Sequence, residues 1–146
     1  MASKIITIHS DSKGILRAQA EPVVKFGKDL EHIIDKMLNT CAQNRGRGLA
    51  APQIGISKQI IVVSGRVFIN PEVLQRGTDV PEVEEEEGCL SVPDVFVKIK
   101  RPASILLAFS NLARRRLIIP YSDLARPILH EMDHLRGQLI TDYENL

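Results

Sequence analysis

The stretch Leu-His-Glu-Met-Asp-His-Leu-Arg-Gly, Leu129 to Gly137, places two histidines four residues apart, with a glutamate directly after the first. On a helix, positions i and i+4 share a face, so His130 and His134 can offer two imidazole nitrogens to one metal ion. Glu131 sits one residue round, close enough to reach a metal-bound water without ligating the metal. Two neutral donors beside a carboxylate that takes and returns a proton are what a metal-dependent hydrolase needs. An ordinary polar helix face has the same pattern, so the motif alone is of moderate specificity.

The third ligand decides between chemistries. One protease pattern places a further His six residues after the second, but that position is Ile140. Another takes a Glu from a later helix, and the sequence ends at Leu146, too soon for one. The remaining soft donor is Cys89, upstream in the glycine-containing stretch Glu-Glu-Gly-Cys-Leu-Ser-Val-Pro. A thiolate and two imidazoles leave a tetrahedral ion with one open position, which takes water and lowers its pKa toward ~7. An attacked carbonyl also needs donors for its developing negative charge. The backbone N–H of Leu90, after the glycine turn, is one candidate, and the Gln53 side chain is another. Gln53 closes the run Gly-Arg-Gly-Leu-Ala-Ala-Pro-Gln, whose small residues let backbone approach a ligand closely. A tight helix-to-strand connection is the plain alternative for that run.

These residues need elements to hold them. From Asp29 to Gln43, Leu30, Ile33, Ile34, Met37, Leu38 and Cys41 recur at helical spacing, an amphipathic helix ended by Asn-Arg-Gly-Arg-Gly. His32 lies off that stripe, as an exposed residue. Short β-branched runs follow at Gln59–Val63, Arg66–Asn70, Val95–Lys100, Ser104–Phe109 and Arg116–Pro120. Ser64-Gly65 is short enough to close a hairpin, and Pro71 is expected to end the second run. Val95–Lys100 alternates as a strand with one wet face, and the other runs read as more buried. The last helix is expected to start with Ser122 as its cap and to turn Leu124, Ile128 and Leu135 inward. Pro127 falls early in that helix, where a missing N–H is tolerated only in the first turn. Strands around helices without regular β-α-β alternation predict an α+β fold, with antiparallel or mixed sheets packed around a central helix that carries the metal motif.

Bulk composition bounds the remaining options. The chain has 146 residues, 44% hydrophobic, which suits a single domain spanning residues 1–146 with a real core. With 19 basic and 18 acidic side chains, the net charge of +1 gives no warrant for nucleic acid or an anionic membrane as main partner. Glu82 and Glu84–Glu87 form an acidic run and Arg114–Arg116 a basic one, both expected as solvated loops or strand ends. No stretch approaches the ~20 apolar residues of a membrane span, and the N-terminus lacks the apolar segment of a signal peptide. Two cysteines make no disulfide framework, which fits a reducing, cytosolic-type compartment. Cys41 falls on the apolar stripe and reads as core.

Three segments together resemble the peptide deformylase family. Gly46 to Gln53 is similar to its Gly-x-Gly-x-Ala-Ala-x-Gln motif, and Glu87 to Ser91 carries Glu-Gly-Cys-Leu-Ser intact. Leu129 to Gly137 resembles the third, Gln-His-Glu-x-Asp-His-Leu-x-Gly, with Leu129 in place of the Gln. Phe68–Val73, Arg101-Pro102 and Ala125-Arg126 fit as well, so the resemblance covers nearly the whole chain. It implies a metal held by Cys89, His130 and His134, usually Fe(II), with zinc, nickel or cobalt as substitutes. It implies Glu131 as general base and then acid, and Gln53 with the Leu90 amide as binders of the formyl oxygen. Gly48 and Gly88 would line the substrate backbone, Arg47 the methionine pocket, and Arg101 would brace Glu87. The implied reaction removes the formyl group from the N-terminal formyl-methionine of a new peptide and releases formate.

The departures concern specificity rather than ligands. Arg47 replaces an apolar pocket residue, and Phe96 stands where many members carry Arg near the bound peptide. The C-terminal helix by which many bacterial members can dock on the ribosome is expected to be lacking after the third motif, and transient ribosome contact is one open expectation for partners. Short members of this kind include some from phages. Two other readings share these residues: a divergent paralogue that binds metal or formyl peptide with little turnover, and an amidase of altered acyl or peptide specificity.

Overall fold

Isoleucine and valine make up the whole of Ile60–Val63, and all of these side chains are buried, because the strand is covered on both faces. The structure is a computed structural model that describes residues 2–75 and 80–144. Its main sheet has five antiparallel strands in the order β1-β2-β3-β6-β7. These are β1 (Gly48–Ala50), β2 (Ile60–Val63), β3 (Arg66–Gln75), β6 (Ile105–Ser110) and β7 (Arg116–Tyr121). Between β3 and β6 in sequence, β4 (Glu82–Cys89) and β5 (Val92–Pro102) form a separate two-stranded antiparallel hairpin. Among the described residues two α-helices complete an α+β fold: α1 (Lys28–Gln43) and α2 (Ala125–Leu135).

Alternation along β1 to β3 sorts side chains between the two helices. Leu49, Ile60, Val62 and Ile69 pack with Leu30, Ile34, Met37 and Cys41 of α1, while Ile33 and Leu38 pack at the margin and His32 is exposed. Ala50, Ile61, Val63 and Phe68 face the other way, onto Ala125, Ile128, Leu129 and Leu135 of α2. Phe68 and Phe109 meet edge to face there, with centroids 4.8 Å apart. The helix with the two histidines therefore rests its apolar side on the sheet and turns its polar side toward the hairpin.

The β2–β3 turn is Ser64-Gly65, both at positive φ (49° and 77°), the backbone that a two-residue turn requires. Four expectations need correction. Arg116–Pro120 is not more buried than Val95–Lys100: its residues alternate between exposed and half-buried, with Ile118 59% exposed, because β7 is an edge strand of the sheet. Pro71 does not end its strand: β3 runs on to Gln75, with an irregular register against β6 between Ile69 and Glu72. A proline fits there because a bulge leaves its position without a ladder bond to donate. Asn70, at φ 50°, instead ties the bulge to Val23 by accepting from its N–H and donating to its carbonyl. Ser122 is not the cap of α2: Leu124 holds that position without a side-chain cap, and Ser122 contributes its carbonyl to the Ala125 N–H. Leu124 is partly buried. Pro127 then falls in the first turn, where helix N–H groups have no intrahelical partner to lose.

The acidic run is not a loop or a strand end but the body of β4. Glu84 and Glu86 stand opposite Lys100 and Lys98, so unlike charges face each other across the wet side. On the other side, Val97, Ile99 and Val92 pack against Leu139 and Ile140, and Glu87 and Arg101 are buried. Arg114, Arg115 and Arg116 are exposed, as expected.

Candidate functional site

Cys89 lies at the end of β4, where the hairpin register shifts, 45 residues from His134 in sequence. The fold brings its sulfur 3.3 Å from His134 Nε2. Ligand atoms of Cys89, His130 and His134 all lie within 4.8 Å of one another, the one such group among the described residues. His130 uses Nδ1 to meet Glu87 Oε1 at 2.8 Å, which leaves Nε2 as its free ring nitrogen. These three can hold a single cation, with a soft thiolate and two imidazoles as donors.

One buried atom supports that fit. Glu131 is 5% exposed, and its Oε1, bordering the space in front of the three donors, has no hydrogen-bond partner. An orphaned carboxylate oxygen inside a protein is costly unless something polar completes it. Glu131 borders a cavity of about 500 Å³ that also reaches Cys89 and His130, so water or a substrate amide in that space meets it directly.

Burial dominates the electrostatics. It pushes the Glu131 carboxyl up to about 7, and it holds His134 down at about 3, helped by the charge of His130. Burial also opposes charge on His130, but Glu131, Cys89 and Glu87 outweigh it and raise that group to about 11. A metal ion must therefore displace a proton from His130. Glu87 would be raised by burial, yet hydrogen bonds from Arg101 and His130 bring it down to about 2.

Gln53 is fixed by a 3₁₀ turn, Ala51–Ile54, with its Oε1 accepting from the Ala50 N–H at 2.9 Å. Its amide nitrogen donates to Ser91 Oγ at 3.1 Å and lies 3.8 Å from the Cys89 sulfur, so it borders the thiol from the opposite wall. Leu90 occupies the hairpin turn beside Cys89 and also lines the cavity. A Cβ on Gly48 would stand 2.8 Å from Glu131 Oε2 and 3.1 Å from the Val62 carbonyl. Only glycine lets β1 pass so close to the carboxylate. Gly88 is less constrained, since a Cβ there would come 2.8 Å from the ring of Phe96, a side chain that is 66% exposed and has room to turn away. Arg47 is exposed at the cavity rim and donates to the Asp123 carbonyl at 3.2 Å. All nine residues singled out in the sequence thus border the cavity or touch a residue that does.

The expected Arg101–Glu87 brace is bidentate, at 2.7 and 2.9 Å. Three contributors beyond it were assigned no role from the sequence, although Arg126 and Asp133 fall within segments that resemble the family. Arg126 donates to Glu87 and to the carbonyls of Val83 and Ile99. Asp133 accepts from Arg101 and Arg136, and Tyr143 donates to Asp133. Asp133 lies inside the metal motif, but nothing in helical spacing shows that it is buried.

A profile of the polypeptide deformylase family matches residues 3–145. The chain belongs to this family. Among relatives, a peptide deformylase of Thermotoga petrophila is 43% identical over 136 residues, covering 88% of this chain and 80% of the relative. Peptide deformylase 1 of Shewanella oneidensis is 39% identical over 136 residues, covering 88% and 79%. The crystal structure of the Thermotoga maritima enzyme superposes with a TM-score of 0.90 at 36% identity, covering 97% of each chain. A Met-Ala-Ser-bound deformylase of Acinetobacter baumannii gives a TM-score of 0.88 at 29% identity, over 97% of this chain and 98% of the other. Family membership identifies the chain as a metal-dependent hydrolase, and its three clustered donors are the group that can hold the metal.

Proposed function

We propose that this chain removes the N-formyl group from the formyl-methionine of new peptides, with residues 1–146 acting as one catalytic domain. The observation that carries the reading is the convergence of Cys89, His130 and His134 on one point, with the unpartnered Glu131 carboxylate facing the same cavity. The relative with Met-Ala-Ser in its crystal holds the peptide that deformylation of formyl-Met-Ala-Ser yields. A divalent ion on the three donors, Fe(II) or in its place zinc, nickel or cobalt, supplies Lewis-acid activation of water and of the formyl carbonyl.

The chain's own residues do the rest. Gly48 and Gly88, on opposite walls, admit the extended peptide backbone, and Arg47 borders the methionine side chain. Gln53 Nε2 and the Leu90 N–H donate to the formyl oxygen as it gains negative charge. Glu131, a carboxyl that burial raises, takes the proton from the attacking water and passes it to the departing amine. The C–N bond breaks, and the products are formate and a peptide with a free amino terminus. Because the substrate is the start of a new chain, the reading includes cytosolic work with transient ribosome contact.

The test is formate release from formyl-Met-Ala-Ser by protein purified anaerobically and loaded with Fe(II). Turnover is expected, and Glu131→Ala should keep the metal while losing a factor of ~10²–10⁴ in kcat. Loaded protein that releases no formate overturns the reading.

A further inference from the structure

The contacts that orient His130 do not end at Glu87. Arg101 grips both Glu87 oxygens and extends Nη1 to Asp133 Oδ2 at 3.0 Å. These three side chains are 5–6% exposed, so none is shielded by solvent. Tyr143 donates its hydroxyl to the same Asp133 oxygen at 2.7 Å, and its ring centroid lies 5.3 Å from the Arg101 guanidinium carbon. One tyrosine therefore touches both the cation and the second carboxylate of the network.

We propose that Tyr143 is a positioning residue for the metal site, acting through Arg101 and Asp133 on both histidines. Arg101 is shared between two buried carboxylates, and its plane must stay aligned with Glu87 for that bond to remain bidentate. The Tyr143 ring confines the guanidinium from one face, and the hydroxyl offsets part of the negative charge with which Asp133 draws it away. Glu87 thus keeps the geometry in which it fixes the His130 ring. Asp133 immediately precedes His134, so the same hydroxyl also anchors the backbone that carries the second imidazole.

The tyrosine is delivered by the 3₁₀ turn Ile140–Tyr143, seated on Val97, Ile99 and Leu139 of the small apolar cluster. Asp142 secures that turn by accepting from the Leu139 N–H at 3.1 Å and from Arg17 at 2.7 Å. Arg17 hydrogen-bonds neither Arg101 nor Asp133, but donates to the Gly137 carbonyl at 3.2 Å as well as to Asp142, so its removal loosens the seat of the turn while leaving the tyrosine's own contacts in place.

This inference rests on the three-donor metal site proposed above, and the experiment separates the two. Wild-type, Tyr143→Phe, Tyr143→Leu and Arg17→Ala proteins are loaded with Co(II). The readouts are its visible absorption, its release to a chelator, formyl-Met-Ala-Ser kinetics and urea unfolding. Tyr143→Phe should release cobalt faster than wild type, by less than the roughly ten- to hundredfold that loss of a metal-bound histidine's direct partner brings. Its cobalt band should shift, and kcat should fall with KM little changed. Tyr143→Leu should exceed it on each readout, and Arg17→Ala should lower stability while moving the other readouts less than either Tyr143 variant. Wild-type release rates and an unshifted band in both Tyr143 variants overturn the inference, as does faster release from Arg17→Ala equal to theirs. Failure of the wild type to bind cobalt overturns the metal site itself, and this inference with it.

Discussion

Gly48 and Gln53 stand on one side of the cleft, on β1 and the turn after it, beside β2, which is buried on both faces by aliphatic side chains. Cys89 and Gly88 stand on the other, at the tip of a two-stranded hairpin whose apolar contacts are few. That hairpin is fastened to α2 by Arg101 and Arg126, through Glu87, Asp133 and two backbone carbonyls. Dispersion and burial hold the first wall, and they set distance without setting direction. Hydrogen-bonded charges hold the second, and they do set direction, which a ligand on the hairpin and a braced histidine both need. The cost is that every member of the charged set must stay paired.

Breaking one tie in each wall should separate them most clearly. Arg101→Leu removes the one cation that Glu87 and Asp133 share, leaving Glu87 to Arg126 and His130 and Asp133 to Arg136 and Tyr143, and should cost at most ~3–5 kcal/mol in urea unfolding near neutral pH. Phe68→Ala in the apolar wall should cost a similar ~3–5 kcal/mol. Acid then distinguishes them. Glu87 is held at about 2 in the fold against an ordinary 4.5, so its contribution is complete above pH 4.5 and fades as pH falls toward 2. The deficit of Arg101→Leu relative to wild type should shrink over that window, whereas that of Phe68→Ala should not. Equal pH dependence of the two variants would contradict the division of forces.

A smaller effect tests the fit of the walls to each other. Gly48→Ala forces a methyl against Glu131 Oε2 and the Val62 carbonyl, and a displacement of that kind should lower formate release on the order of 10²-fold. Global stability should change less than in Phe68→Ala. The smallest effect is expected at Arg17→Ala, whose exposed bridge to Asp142 is worth no more than ~1 kcal/mol.

Much of this was readable before any coordinates. The stripe from Leu30 to Cys41, the Ser64-Gly65 turn and the shared face of His130 and His134 follow from periods of 3.6 and 2, which act over a few residues. The candidate ligands were legible because metal chemistry restricts donor types so strongly that Cys89 stood out at a distance. Pro71 and Ser122 misled for the opposite reason: each obeys a local preference that a bulge or a backbone-capped helix start overrode.

What the sequence determined by itself was which atoms can ligate, accept a proton or admit a backbone, since these are properties of residue types and short spacings. Only the tertiary structure decided that Asp133 and the half-buried Tyr143 join the Arg101–Glu87 brace in one network. Contacts spanning 10 to 43 residues depend on where the hairpin and the last turn settle on α2. Burial is what turns those ordinary polar groups into a rigid frame, and burial belongs to the packed molecule rather than to any segment of it.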